Sequence, residues 1–426
     1  MRFWETLKQV FTLPDLRKKI LYTIGLLVIG RILAHVPLPG VDLEALRSFF
    51  GRSQIFGLLN MFSGGAMENF SLIMMGVGPY ITASIIMQLL TMIIPTLEEL
   101  NKEGEAGRAK INHWTRMIAV PLAIVQAYGT IKILQGQHIL QSLTSFEWAI
   151  ILISVTAGSI LLMWIGELIT ENGIGNGVSL IITLGILAQI PAQIRNTATI
   201  INASMITSLL IFIGIAILVI VGIILANEGT RQIQVSYARR VRGLRSYGGG
   251  VNTYMPIRVN SAGVVPIIFA MSIMLLPNIL ANVFQHARSP WLANFSLSVE
   301  RILNPNGWVY GVTYFVVVVL FTYFYIGVIF KPDQMAENLQ KQGGFVPGIR
   351  PGHETAEYLS KTIGYLTFWG AIFLGVIAIL PFVMQAITKV NTLVLGGTGV
   401  LIMVSVIIET MRQVQAQLSM RTYEKY

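Results

Sequence analysis

Runs of about 20 apolar residues recur along the whole chain, and nothing constrains its fold more. One of them, Met205 to Ala226, contains no charged residue. That length is what an α-helix needs to cross the hydrocarbon core of a bilayer. In lipid, a helix satisfies every backbone group within its own segment, which an irregular chain cannot do. Composition points the same way. The 426 residues are 54% hydrophobic and 12% charged, with mean hydropathy +0.67, against about 25% charged residues in an average soluble domain. The class is an all-α membrane protein.

The runs predict ten spans: about Ile20–Val36, Leu72–Ile94, Trp114–Leu134, Trp148–Ile169, Val178–Ile194, Met205–Ala226, Ser261–Val283, Trp308–Phe330, Tyr365–Met384 and Leu393–Met411. Before them, residues 1–19 read as an amphipathic surface helix, with Phe3, Trp4, Leu7, Val10 and Phe11 at helical spacing. No signal-peptide pattern precedes the first run, which reads as a retained span. Polar segments at 227–260 and 331–364 read as long loops, and 413–426 as a tail.

Orientation follows from Lys and Arg. With the N-terminus inside, the inner segments hold 21 of these residues and the outer ones 6. That asymmetry places both termini in the cytoplasm. The net charge of +10 reads first as this bias rather than as a nucleic-acid footprint. The absence of cysteine excludes disulfides and thiolate metal sites.

Between the first two spans lies Asn60-Met61-Phe62-Ser63-Gly64-Gly65-Ala66. The apolar piece before it, Ile55 to Phe62, is far too short to cross lipid. A half-span broken by paired glycines must sit inside protein or beside water. It therefore reads as a movable, re-entrant element over about 55–70. A weak internal echo accompanies it: Gly76-Val-Gly-Pro79 in span two resembles Gly263-Val-Val-Pro266 in span seven. Five spans repeated as five would give inverted halves, residues 20–200 and 201–412. Pro79 and Pro266 would then kink equivalent helices.

Enzymatic chemistry finds no footing. Asp15, Asp42 and Asp333 all lie outside the spans, and no His-Glu-x-x-His or Gly-x-Ser-x-Gly occurs in one. No carboxylate sits at mid-span, which argues against an ion-coupled secondary transporter built on inverted repeats. Arg31, His35 and Lys132 lie near outer span ends, where long side chains snorkel. The loop arginines Arg239, Arg240, Arg242 and Arg245, interleaved with Gly and Tyr, suit RNA phosphates. They equally suit lipid headgroups and topology retention. A membrane receptor for ribosomes remains a third reading.

Six ordered motifs resemble bacterial SecY: Pro37-x-Pro-Gly40, Asn60-Met-Phe-Ser-Gly-Gly65, Pro79-Tyr-Ile-x-Ala-Ser84, Gly173-Ile-Gly-Asn-Gly177, Val259-Asn-x-Ala-Gly263 and Phe345-Val-Pro-Gly-Ile-Arg-Pro-Gly352. The resemblance runs from about residue 15 to 420. It implies the channel of a protein translocon in the bacterial cytoplasmic membrane, with no cofactor and no catalysis of its own. It implies a constriction ring of Val77, Ile81, Val178, Ile182, Ile268 and Ile402, with valine at two positions where isoleucine is frequent. A plug would precede span two. A lateral gate between spans two and seven would include Pro79, Thr82, Ser84, Gln88, Pro266 and Met271. Implied partners are the small subunits SecE and SecG, the SecA ATPase, the ribosome, signal sequences and the lipid bilayer. Arg239, Arg240, Arg242, Arg245 and Arg350 would face SecA or the ribosome. Relatives often carry paired arginines where this chain has Leu244-Arg245, so position 245 is the firmer contact.

Overall fold

The computed structural model describes residues 13–39, 41, 44–46, 60, 63–136, 139–140, 144–200, 206–237, 240–242, 245–247, 252–284, 290–303, 307–388 and 397–423. Among them the chain forms α1 (Pro14–Leu33), α2 (Gly78–Ile93), α3 (Pro95–Lys102), α4 (Glu105–Gly136), α5 (Ser145–Asn172), α6 (Gly177–Ile200) and α7 (Ile206–Glu228). Four strands follow: β1 (Thr230–Tyr237), β2 (Arg240–Arg242), β3 (Arg245–Tyr247) and β4 (Asn252–Arg258). Then come α8 (Val265–Phe284), α9 (Pro290–Ile302), α10 (Trp308–Ile329), α11 (Pro332–Lys341), β5 (Gly344–Phe345), α12 (His353–Thr388) and α13 (Gly397–Tyr423).

Seven helices, α4, α5, α6, α7, α10, α12 and α13, are long and apolar enough to cross a membrane. The pair α2 and α3, bent by 102°, makes an eighth if counted as one span. Pro95 causes the bend. It disfavours helical geometry at the preceding residue, and Ile94 is extended at φ −100°, ψ 110°. α1 and α8 lie outside the set of eight. The charged residues Asp15, Arg17, Lys18 and Lys19 belong to the same continuous helix as the first apolar run, so no separate surface helix covers 14–19. Residues 1–12 lie outside the described residues.

Local signals explain several helix ends. α5 opens on a capping box, in which the Glu147 amide donates to the Thr144 hydroxyl and the Thr144 amide donates to the Glu147 carboxylate at 2.7 Å. α1, α2, α3 and α11 each begin with proline in the first turn, where a missing N–H costs nothing. Pro79 and Pro266 are therefore helix starters and not mid-span kinks. Prolines inside helices are Pro121, Pro191, Pro277 and Pro381.

Packing divides the helices into two groups. α1 packs on α5, α2 on α4, α4 on α5 and α5 on α6. In the second group, α8 packs on α10, α10 on α12, and α7 and α12 on α13. The groups meet where α13 packs on α6, and where α8 packs on α2 and α4.

The long polar loops hold a sheet that was not expected. β1 pairs antiparallel with β4 from Thr230↔Arg258 to Ser236↔Asn252, and with β5 at Ser236↔Phe345 and Tyr237↔Gly344. The two loops are thus stitched into one platform. Ile233 and Val235 alternate inward along β1, each 2% exposed. Ile233 joins Ile257, Val346, Leu359 and Ile363 in a small core beneath the sheet.

Candidate functional site

All six aliphatic residues singled out as a ring fall in one apolar cluster. Val77, Ile182 and Ile402 are fully buried, and Ile81, Val178 and Ile268 are partly buried against them. They come from the turn that opens α2 and from α2, α6, α8 and α13, so both helix groups contribute. The Val77 carbonyl accepts the Ile81 amide at 3.0 Å, which opens α2. That turn stacks the two side chains on one face. Branched aliphatics gathered this way offer no hydrogen-bond partner to water or ions.

The segment before α2 is not the helix its hydropathy predicts. Residues 63–70 and 72–77 form successive turns. A bridge pairs Pro37 with Ser71, and the Leu38 and Leu72 amides donate to the Phe70 and Val36 carbonyls. Four positions adopt positive φ: Gly64 (70°), Gly65 (82°), Phe70 (43°) and Gly76 (57°). The echo in span seven extends to conformation. Gly263 has φ 63°, and α8 begins two residues later, as α2 begins two residues after Gly76.

The start of this turn segment is pinned from three sides. The Asn60 side chain exchanges two bonds with Glu68, to its carboxylate at 2.9 Å and from its amide at 3.0 Å. Gln189 of α6 donates to the Asn60 carbonyl at 2.9 Å. Arg31 of α1 donates to the Gly64 carbonyl at 2.6 Å. Arg31 therefore points into the protein rather than snorkelling outward. Gly64 packs so closely on α6 that a Cβ there would stand 2.7 Å from Gly185 Cα. Of the expected plug residues, Asn60, Ser63, Gly64 and Gly65 are in this knot, while Met61 and Phe62 lie outside the described residues. Lys132, by contrast, sits 5.1 Å over the Trp148 ring and 5.9 Å over Tyr128, as an interfacial cation does. Glu167 pairs with Arg116 at 2.8 Å.

The residues expected at a gate divide between two environments. Pro79, Thr82 and Pro266 are buried, and Met271 packs on the large cluster. Gln126 of α4 donates to the Thr82 hydroxyl at 3.2 Å. Ser84 and Gln88 line a cavity of about 620 Å³ between α2, α4 and α10. Its walls mix Met87, Ile111, Val328 and Ile329 with Lys102, Arg108 and Lys331. The buried Gln88 Oε1 has no hydrogen-bond partner.

Across the mouth of this cavity, Glu98 of α3 meets Lys102 at 2.9 Å and Lys331 at 3.4 Å. Hydrogen bonding to Lys102, then its charge, then the bond to Lys331 hold the Glu98 carboxyl below the usual carboxylate range. A depressed carboxyl contributes its tie above the unfolded pKa and loses it as pH falls through the folded one. Spin labels at Asn101→Cys and Gln334→Cys should therefore hold a narrow distance distribution near neutrality and a broader one once pH falls below the usual carboxylate range. Glu98→Gln should broaden it at every pH.

The loop arginines lie on a second, separate two-stranded sheet and in a turn. Strands β2 and β3 pair Arg240↔Tyr247 and Arg242↔Arg245. By register, positions 240, 242, 245 and 247 share one hairpin face. Arg239 and Leu244 lie outside the described residues. Arg350, in the turn between β5 and α12, is 88% exposed and 3.9 Å from Glu354. Its carbonyl accepts the Thr355 hydroxyl at 2.8 Å.

A SecY family model matches residues 71–411. The chain belongs to the SecY family. A relative named protein translocase subunit SecY, from Streptomyces galbus, is 39% identical over 436 residues, covering 98% of each chain. Among solved structures, one described as a protein-conducting channel superposes with TM-score 0.64 at 20% identity, over 93% of this chain and 91% of that one. A second, in which the SecY plug domain is described as stabilising the closed state, gives TM-score 0.62 at 21% identity, with the same coverage. A third, Sec61 in a canine ribosome–channel complex, gives 0.61 at 20%, again over 93% and 91%. At those identities the structures establish the shared fold. SecY membership makes this chain a multi-pass membrane protein.

Two features escaped sequence reading. The alternation Ile233, Val235, Tyr237 was a period-two signal for β1, hidden inside a segment read only for charge. The inward turn of Arg31 had no local signal.

Proposed function

We propose that this chain is the protein-conducting channel of a Sec translocon. It passes unfolded secretory polypeptides across the membrane and releases hydrophobic segments sideways into lipid. The observation that carries this reading is the aliphatic cluster of Val77, Ile81, Val178, Ile182, Ile268 and Ile402, drawn from both helix groups. It seals against ions, and having no directional hydrogen bonds it lets any polypeptide slide past. A coupled transporter would need charged or cage-like sites at that depth.

In this reading α1 and α8 complete ten spans in two inverted halves, with both termini cytoplasmic. The turns from Asn60 to Gly76 anchor a plug to α1 and α6. The seam of α8 on α2 and α4 is the lateral gate. A signal sequence enters at the 620 Å³ cavity, whose mixed lining accommodates an apolar helix beside polar groups. Each CH₂ it moves into lipid favours the open state by about 0.8 kcal/mol. The β2–β3 hairpin, with Arg240, Arg242 and Arg245, and the exposed Arg350 dock a ribosome or the SecA ATPase, which supplies the force. SecE and SecG complete the complex, in the bacterial cytoplasmic membrane. The chain itself catalyses no reaction.

Reconstitution with SecE and SecA tests this: a secretory precursor should become protease-protected only with ATP. No protection would overturn the channel assignment. Arg350→Glu should slow SecA-driven translocation about tenfold, as ~1.4 kcal/mol of lost docking would, and wild-type rates would remove Arg350 from the docking surface.

A further inference from the structure

We propose that α9 is a membrane-interface helix, its Trp291 and Phe295 inserted among the lipid headgroups of the leaflet opposite the β1–β4 sheet. This goes beyond the channel reading and requires only that α10 spans the membrane. α10 ends just before α11 and β5, which pairs with β1, so α10 starts at the opposite face, and α9 ends at Ile302, shortly before Trp308 opens α10. It therefore lies at the membrane face away from the sheet.

Its surface is divided. Ser296 faces inward at 2% exposure, and Leu303, just past the helix, packs on the core cluster that includes Tyr310. Trp291 and Phe295, one turn apart, stack with ring centroids 6.0 Å apart and planes at 17°. Yet they are 72% and 58% exposed. Asn294 and Ser298 lie on the same exposed face, between this pair and Leu297, which is 49% exposed, and the Ser298 hydroxyl donates to the Asn294 carbonyl at 2.9 Å. An exposed face of Trp291, Phe295 and Leu297 interleaved with small polar groups suits a helix lying in the interface, that face immersed about 5–10 Å.

What covers the aromatic strip is indicated by its continuity with α10. Trp308, Val312, Val316 and Leu320 repeat every four residues along α10 and are 80%, 52%, 48% and 62% exposed. An apolar stripe of that kind on a spanning helix faces lipid. Trp308 marks its entry, where tryptophan rings concentrate in membrane proteins. Trp291 and Phe295 extend that belt onto α9.

The chain lacks cysteine, so Phe295→Cys and, on β1, Gln232→Cys give single labelling sites. Both positions are exposed. With spin labels in vesicles of phosphatidylcholine and phosphatidylglycerol, power saturation compares collisions with oxygen and with a water-soluble nickel chelate. The oxygen-to-nickel ratio should be about tenfold higher at 295 than at 232, the ratio that ~1.4 kcal/mol of partitioning produces. Trp291→Cys should repeat the result from position 295 should that variant not fold. Equal ratios dominated by nickel would overturn the proposal, as would a label at 295 shielded from both reagents, which would mean that protein covers the strip. Neither readout depends on translocation, so the channel reading stands or falls separately.

Discussion

Asparagine at both Ile81 and Ile268 should raise the resting ion conductance of reconstituted bilayers sharply. Both side chains pack against the cluster that holds Val77, Ile182 and Ile402. A polar group buried there without a partner costs about 1–3 kcal/mol. It also gives water a foothold in a constriction whose closure depends on being dry. Two such groups shift the balance between closed and open states by about 3 kcal/mol, on the order of a hundredfold in open population. The measurement is single-channel or vesicle ion flux without a translocating substrate. Leucine at the same positions should leave flux low, since it keeps the surface apolar. Resting flux unchanged in the asparagine pair would remove the seal.

Arg31→Leu should open the resting channel by a different route. The Arg31 guanidinium is half-buried and meets the Gly64 carbonyl at 2.6 Å. Removing the donor strips the carbonyl of this charge-assisted bond, at about 1.5–3 kcal/mol. The turn segment then remains tied to α6 through Gln189 and Asn60. Gly64→Ala attacks the same joint through the backbone. Its φ of 70° disfavours any side chain, and the new methyl would press on Gly185. Both variants should increase flux and ease the passage of precursors with weak signal sequences. Protease access to the turn segment should rise in parallel. A leak in neither variant would show that this joint does not hold the closed state.

Much of the architecture could be read before any coordinates. Apolar runs such as Met205–Ala226 dictate spanning helices, because lipid leaves the backbone no other local solution. The expected end of span two at Ile94 coincides with the bend at Pro95. The ring positions came through motif resemblance, and all six belong to one large apolar cluster. Helical spacing alone could only put Val77 beside Ile81, and Val178 beside Ile182.

Other features depended on partners distant in sequence. Residues 72–77 are as apolar as a span, yet they form turns. Gly76 takes a left-handed φ, and the bridge from Pro37 to Ser71 holds the preceding backbone. The β1–β5 pairing joins loops a hundred residues apart, and no periodicity within either loop encodes that meeting. Arg31 shows the division most plainly. Its sequence position, near the end of an apolar run, is compatible with snorkelling or with an inward bond. The acceptor, Gly64 O, is 33 residues away and reaches Arg31 only once the turn segment folds against α1 and α6. Sequence by itself determined which stretches enter the membrane, because burial of apolar surface and backbone satisfaction are local demands. Tertiary structure alone decided which polar groups face inward, because a charge turns inward only where folding supplies it a partner.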